Sequence, residues 1–383
     1  MSNLPLGDLP LQTFLKEYWQ KTPLLVRNAL PEITSPLSAE ELAGLACEEQ
    51  VESRLILRDS TSDRWELTHG PFTEEQFQKL PPSHWTLLVQ AVDYWVPAAA
   101  DLLTTFNFIP NWRVDDLMIS LSGDGGGVGP HFDHYDVFLV QVSGRRQWEV
   151  GKGCDERSPQ RADTPVMILT DWEPLERWIL EPGDMLYVPP GVSHSGVAVG
   201  DECMTCSVGF RAPSHSDIIR NFANFLGDKL GEELRYTDPD LTPQSNPGSM
   251  SPEALEKVRN ILRQYVDDPD FLGEWFGQYM TEQKYPEEES ERATYHLEDV
   301  SKHVSQGGTL KRNEGSRFAY QKREKDVWLF VDGRGYSCHE DQMELVETLC
   351  AKVIIADHTW WQREEDKTLL MDLINHGSLY LSD

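Results

Sequence analysis

Three side chains from two distant segments have the types and spacing to hold a transition metal. His131-Phe132-Asp133 lies in GGGVGPHFDHYDVFLVQV, and His194 closes EPGDMLYVPPGVSH sixty-three positions downstream. On a β-strand, alternate side chains share a face, so His–x–Asp predicts that both groups point one way. Two imidazoles and one carboxylate on one side of an ion leave three positions open. That is the ligand set of non-haem Fe(II) oxygenases, and by ligand type it also suits Mn(II), Co(II) or Zn(II). His–x–Asp alone arises often by chance. His194 strengthens it, because the tight turn Pro182-Gly183-Asp184 and the run Tyr187-Val188-Pro189-Pro190 deliver it from a separate strand. His134 is expected on the opposite face and His215 beyond the barrel, so neither is assigned as a ligand.

Iron becomes the specific expectation when a co-substrate is added. A 2-oxo acid fills two open positions and O2 the third. The far carboxylate of 2-oxoglutarate then needs a cation inside the fold. Arg145 and Arg146 follow DVFLVQVSG, and the planar guanidinium fork suits a carboxylate. Only one of the two can face inward, and the residue pattern does not choose between them. Such a reaction requires no general acid or base, so no catalytic residue is assigned beyond the metal ligands.

The elements that must position these groups follow from the patterning. From Val114 to Arg211 short apolar runs alternate with Gly, Pro and Asp: LMISLS, DVFLVQV, RRQWEV, PVMILT, RWILEPG, MLYVPP, SHSGVAV and CMTCSVGF. Closely spaced short strands point to a jelly roll or barrel. Before them, Phe14, Leu15, Tyr18 and Trp19 recur at helical spacing, and Leu24-Leu25-Val26 is strand-like. Ser38 with Glu41 forms a capping box. VESRLILRD predicts a strand, and FTEEQFQKL and HWTLLVQAVDYWVPAAADLL predict helices. After the barrel, Ile218, Phe222 and Leu230 form one apolar helical stripe, and Leu255, Val258, Leu262 and Tyr265 another. PEEESE, residues 286–291, is expected as a solvated linker. The remainder mixes helices with a terminal strand, as in a winged helix.

Composition narrows the class. The chain has 383 residues, 39% hydrophobic and 10% aromatic, enough for two or three domains with a sizeable core. No run approaches a membrane span, and the first residues lack an export signal. Six scattered cysteines suit reduced thiols in a cytoplasmic protein. Cys203-Met204-Thr205-Cys206 is expected as buried strand rather than a zinc or redox site. A net charge of −30 repels nucleic-acid backbones and anionic membranes, so neither DNA nor membrane is an expected partner, and it attracts basic proteins.

At its most specific stretches the chain resembles a known family. FLKEYWQKTPLLVRNALP, GGGVGPHFDHYDVFLVQVSGRRQW and EPGDMLYVPPGVSHSGVAV resemble the bacterial JmjC-domain ribosomal oxygenases of the cupin superfamily, and the likeness runs from about residue 5 to the end. The resemblance implies a mixed α+β chain. A double-stranded β-helix oxygenase domain would occupy 1–212, a helical dimerisation region 213–286, and a winged-helix-like domain 287–383. It implies Fe(II) on His131, Asp133 and His194, with 2-oxoglutarate and O2 as co-substrates. Arg146, the second arginine of Gly-Arg-Arg, would hold the far carboxylate. Ser122 would help it, with Ser120 as the fallback. The implied reaction is 3-hydroxylation of an arginine side chain in a basic large-subunit ribosomal protein, number sixteen by nearest likeness, carried out by a homodimer. An arginine target would need an acidic or aromatic grip, and Tyr135 and Asp124 are the expected substrate-binding residues. The alternatives are a metal-dependent cupin enzyme that does not use 2-oxoglutarate, and a non-enzymatic cupin/winged-helix adaptor.

Overall fold

A computed structural model of the chain describes residues 4–285 and 294–382. It divides into two compact units, Met1–Ala212 and Pro213–Asp383. The acidic run 286–291, and with it the expected boundary at 286/287, lies outside the described residues.

The first unit is built on strands β1 (Leu24–Val26), β2 (Ser53–Asp59), β3 (Arg64–His69), β4 (Trp85–Val89), β5 (Val114–Ser122), β6 (Val137–Gly153), β7 (Glu176–Leu180), β8 (Met185–Val188) and β9 (Val192–Phe210). They form one antiparallel nine-stranded sheet in the order β1-β8-β6-β9-β5-β4-β2-β3, with β7 pairing the C-terminal half of β6 on the edge it shares with β8. Opposite faces of the strands serve different purposes. Phe138, Val140, Ile119, Leu121, Cys206, Val208 and Tyr187 pack with Phe14, Leu42, Val92 and Phe106 from the N-terminal segment. The other face turns inward and carries Ser120, Ser122, Thr205 and Arg146, together with an apolar cluster of Val137, Leu139, Trp148, Val150, Leu186 and Val188.

The structure departs from the sequence expectation at three places. Trp85–Val89, expected within a helix, is β4, and only Pro97–Leu103 of that stretch is α-helical. Four of the five β4 residues are buried. A strand covered on both faces has no polar alternation, so its pattern cannot be told from a buried helix. PVMILT is not a strand either; it makes only the isolated bridge Gln160↔Leu169. DVFLVQV and RRQWEV are one long strand, because Ser143-Gly144 forms a bulge rather than a turn. Gly144 has φ +61°, and a Cβ there would come 2.9 Å from the Cys203 backbone. The pairing of β6 with β9 shifts at this corner, and bulges of this kind re-aim strands.

The turn before β8 is tied to the N-terminal segment. Asp184 accepts from Arg27 at 2.6 Å, from the Asn28 amide at 2.9 Å and from the Glu181 amide at 3.1 Å. The Leu30 amide donates to the Gly183 carbonyl at 3.0 Å. The capping box is formed as expected, with Ser38 and Glu41 bonding reciprocally.

The second unit begins with helices His215–Lys229, Pro252–Val266 and Pro269–Thr281, followed by Leu297–Ser305, Met343–Ala351 and Glu364–Asn375. Its strands are β10 (Thr309–Arg312), β11 (Phe318–Lys322), β12 (Asp326–Val331), β13 (Arg334–His339), β14 (Ile354–Ile355) and β15 (Leu379–Ser382). They make two three-stranded sheets, β14-β10-β15 and β11-β12-β13. Helix Pro269–Thr281, expected in the helical region, packs on β11–β13. Gly277 lets the Phe330 ring lie directly against the helix backbone.

Burial works against the Asp184 charge, but the two amides and Arg27 outweigh it and hold the carboxyl below the usual aspartate range. A carboxyl depressed in the folded state adds stability above its unfolded pKa, about 3.9, and loses it as pH falls through the native value. Asp184→Ala is expected to cost about 1–3 kcal/mol at pH 7, mostly from the two orphaned amides since Arg27 is half exposed. Urea melts at pH 7 and about pH 3 should show that deficit shrinking at the lower pH.

Candidate metal centre

His131 and His194 face each other across a two-residue antiparallel bridge. The His131 amide donates to the His194 carbonyl at 3.0 Å and the His194 amide to the His131 carbonyl at 2.8 Å. This brings the two rings to 4.3 Å between centroids. Each Nδ1 lies against a backbone carbonyl, Gly129 at 2.9 Å for His131 and Val192 at 3.0 Å for His194. A carbonyl can only accept, so both Nδ1 atoms carry the proton, and both Nε2 lone pairs are left to a metal. Asp133 closes the set, its Oδ2 3.6 Å from His194 Nε2 and 4.0 Å from His131 Nε2. One ligand atom from each of the three lies within 4.8 Å of the others. His194 is 2% exposed at the base, while His131 and Asp133 are about one-fifth exposed at the mouth.

The expected reason for the convergence needs correcting. His131 is a single bridge residue, and residues 132–135 lie outside any strand. Asp133 is placed by a turn, whose backbone carbonyl accepts from the Gly191 amide at 2.7 Å, and not by strand alternation. The glycine run explains the rest. Residues 125–131 pass directly along β9, with Gly127 paired to Val197, and a Cβ on Gly127 would strike the Gly196 carbonyl.

Electrostatics keep the base of the site neutral. Burial first, then the neighbouring His131, pushes the His194 imidazolium pKa down to about 4, against the opposing pull of Asp133 and the Val192 carbonyl. A neutral imidazole is the form that ligates.

The cation lies at the other end of the same interior face. Register pairs Arg146 with Ala198, Trp148 with Gly196 and Val150 with His194. Directly paired side chains share a face, so Arg146 and His194 look into one lumen, four strand residues or about 13 Å apart. Arg146 is 3% exposed. Its Nε donates to Thr205 Oγ1 at 2.9 Å and its Nη2 to Ser122 Oγ at 2.9 Å, with Ser120 Oγ more distant at 3.4 Å. Among the described residues no carboxylate pairs with it. A buried guanidinium held only by hydroxyls is electrostatically incomplete, and a short dicarboxylate reaching from the metal ligands would complete it. Arg145, by contrast, is exposed on the other face.

The two expected substrate residues sit at different places. Tyr135 is 43% exposed and lies beside the Asp133 carboxylate. Burial and that neighbouring carboxylate raise its pKa, so it stays a neutral phenol. Asp124 lies on the surface, one oxygen accepting from the Gly200 amide at 2.7 Å. It is at the opposite end of the glycine run from His131. Sequence reasoning missed Thr205 and Trp148. Thr205 also donates to Gln141 Oε1 at 2.9 Å; its signal was a hydroxyl on the inward positions of CMTCSVGF. Cys203 and Cys206 are buried free thiols on opposite faces of β9.

Comparison with known proteins agrees with this geometry. The JmjC domain profile matches residues 101–218, and a ROXA-like winged helix profile matches residues 262–380. The chain is 38% identical over 309 residues to the ribosomal protein uL16 3-hydroxylase of Escherichia coli, covering 79% of this chain and 80% of that protein. It is 40% identical over 264 residues to a probable ribosomal oxygenase of Haemophilus influenzae, covering 66% of this chain and 63% of that one. An X-ray structure of E. coli YcfD superposes with a TM-score of 0.87 at 32% identity, covering 98% of this chain and 99% of the other. Structures of that ribosomal oxygenase with cobalt and 2-oxoglutarate, and with cobalt and succinic acid, each superpose with a TM-score of 0.85 at 32% identity and the same coverage.

Removing the incomplete cation tests its purpose. In Arg146→Met the hydroxyls keep partners, Ser122 on Thr86 and Thr205 on Gln141. The variant is therefore expected to be as stable as the parent or more so, by up to about 4 kcal/mol, and to lose any rise in melting temperature on adding 2-oxoglutarate. Thermal melts with and without the co-substrate check both.

Proposed function

The chain belongs to the JmjC-domain ribosomal oxygenases, and from that premise we propose that it hydroxylates an arginine side chain, at the 3-position, of ribosomal protein uL16. It is an Fe(II)- and 2-oxoglutarate-dependent oxygenase. The observation that carries the reading is the pairing of an open His131–Asp133–His194 triad with a buried, carboxylate-free Arg146 on one interior face.

Each residue has a physical task. His131, Asp133 and His194 would hold the iron on one side and leave the other open. Iron, when bound, supplies the redox chemistry that couples decarboxylation of 2-oxoglutarate to succinate with insertion of one oxygen atom into a carbon–hydrogen bond. Arg146, braced by Ser122 and Thr205, fixes the far carboxylate and so sets the depth of the co-substrate. The buried lumen walls exclude water. Tyr135, beside Asp133 at the mouth, and Asp124, on the loop before the glycines, are assigned to the guanidinium of the target. The −30 charge favours encounter with a basic ribosomal protein, and we place that encounter in the cytoplasm. No described helix is long and apolar enough to cross a membrane.

Helices of residues 213–286 are assigned to homodimerisation. On Pro252–Val266 the stripe Leu255, Val258, Leu262 and Val266 is between 46% and 62% exposed. A solvent-facing apolar stripe at helical spacing supports a self-association surface.

Two measurements test these readings. The Fe(II)-loaded chain should convert 2-oxoglutarate to succinate and add the mass of one oxygen to an arginine-containing uL16 peptide, and His131→Ala should abolish both. No succinate from iron-loaded enzyme given uL16 would refute the assignment. Light scattering should give two copies per particle for the parent chain and one for Leu262→Glu.

A further inference from the structure

Trp148 occupies the middle of the lumen, between the two halves of the site. Its rung of the β6–β9 ladder, paired with Gly196, lies between the Arg146–Ala198 rung and the Val150–His194 rung. The indole centroid is 5.9 Å from the His194 ring and 5.8 Å from the Arg146 guanidinium carbon. Gly196 makes this possible, because a Cβ there would come 2.7 Å from the indole ring. The side chain is 6% exposed, and its Nε1–H has no acceptor among the described residues.

A buried N–H without an acceptor is rare enough in folded proteins to need an explanation. The buried indoles of Trp65, Trp328 and Trp360 share the condition, but of the four only Trp148 stands between the metal ligands and an unpaired buried cation. Successive same-face rungs are about 7 Å apart. A five-carbon dicarboxylate stretched from triad to guanidinium must therefore lie against the Trp148 rung. Both of its ends are rich in acceptor oxygens.

Building on the functional reading above, we infer that Trp148 is a positioning residue, whose indole N–H donates a hydrogen bond to a carboxylate oxygen of the bound 2-oxoglutarate. The guanidinium sets the depth of the co-substrate. The indole sets its lateral tilt, and so the angle at which its keto end meets the metal ligands.

The test uses the full chain loaded with Zn(II), a redox-inert ion, and 15N-labelled at the tryptophans. On titration with 2-oxoglutarate, the indole N–H resonance that is missing from Trp148→Phe should move downfield. Calorimetry should show Trp148→Phe binding 2-oxoglutarate about tenfold more weakly, the worth of one hydrogen bond to a charged group, with Zn(II) affinity unchanged. In the iron enzyme the KM for 2-oxoglutarate should rise while the KM for the uL16 peptide stays put. Leu186→Val trims the same apolar cluster without removing a donor and should bind 2-oxoglutarate within about twofold of the parent. An unmoved indole resonance in a parent chain that binds 2-oxoglutarate would overturn the assignment. So would equal affinity of Trp148→Phe and parent, or a loss in Leu186→Val as large as that in Trp148→Phe. A parent chain that takes up Zn(II) but no 2-oxoglutarate would overturn the functional reading itself.

Discussion

The pairing of β6 with β9 is the constraint on which the site depends. No single side chain places the metal ligands relative to the cation; the register of this ladder does. It sets Arg146 opposite Ala198, Trp148 opposite Gly196 and Val150 opposite His194, all on one face. A slip of one residue would turn the guanidinium out of the lumen. The ladder is anchored where slippage is hardest. Gly144 makes a corner that only a residue without a side chain can occupy, and the reciprocal His131–His194 bonds clamp the glycine run to the opposite edge of β9.

The parts of this arrangement that were legible in the sequence are those that chemistry makes expensive to vary. A metal needs three particular donors, so His131, Asp133 and His194 stood out by type. The double arginine also stood out, but Arg145 and Arg146 could not be separated by pattern, since alternation says only that they oppose each other. Their side was settled by a bulge that pattern does not reveal. Thr205 and Trp148 were missed for the opposite reason. A threonine and a tryptophan on strands look like ordinary β-formers, and their roles come from what lies across the lumen. β4 was misread because burial on both faces erases the alternation that marks a strand. Even the correct convergence of His131 with Asp133 rested on the wrong cause, since a turn and not a pleat aims the carboxylate.

The two halves of the site also differ in how they treat charge. At the metal end, burial keeps His194 neutral and ready to ligate, and the carboxylate of Asp133 stays near the mouth, where water reduces its cost. At the other end a permanent cation is sunk among Ser120, Ser122 and Thr205. Hydroxyl dipoles can solvate a guanidinium but cannot neutralise it. Each of them is itself tied down, to Thr86, to Gln141 or to backbone, so they form a fixed cradle rather than a mobile one. Such a cradle holds the cation in the orientation its ligand requires before the ligand arrives, and that lowers the ordering cost of binding.

The wider composition gives this local choice its meaning. The chain carries 64 acidic residues against 34 basic ones, and it pairs arginines elsewhere without difficulty: Arg27 with Asp184, Arg161 with Asp63 and Asp163, Arg113 with Asp136. Placing a carboxylate beside Arg146 would have been the ordinary outcome. An internal carboxylate there would satisfy the fold and close the site to any dicarboxylate from outside. Leaving the guanidinium to hydroxyls transfers that pairing to the co-substrate, so that binding recovers a stabilisation that folding forgoes. The same logic orders events in the lumen. A molecule with one carboxylate can meet either the metal ligands or the cation, but only one with carboxylates at both ends can satisfy the two together.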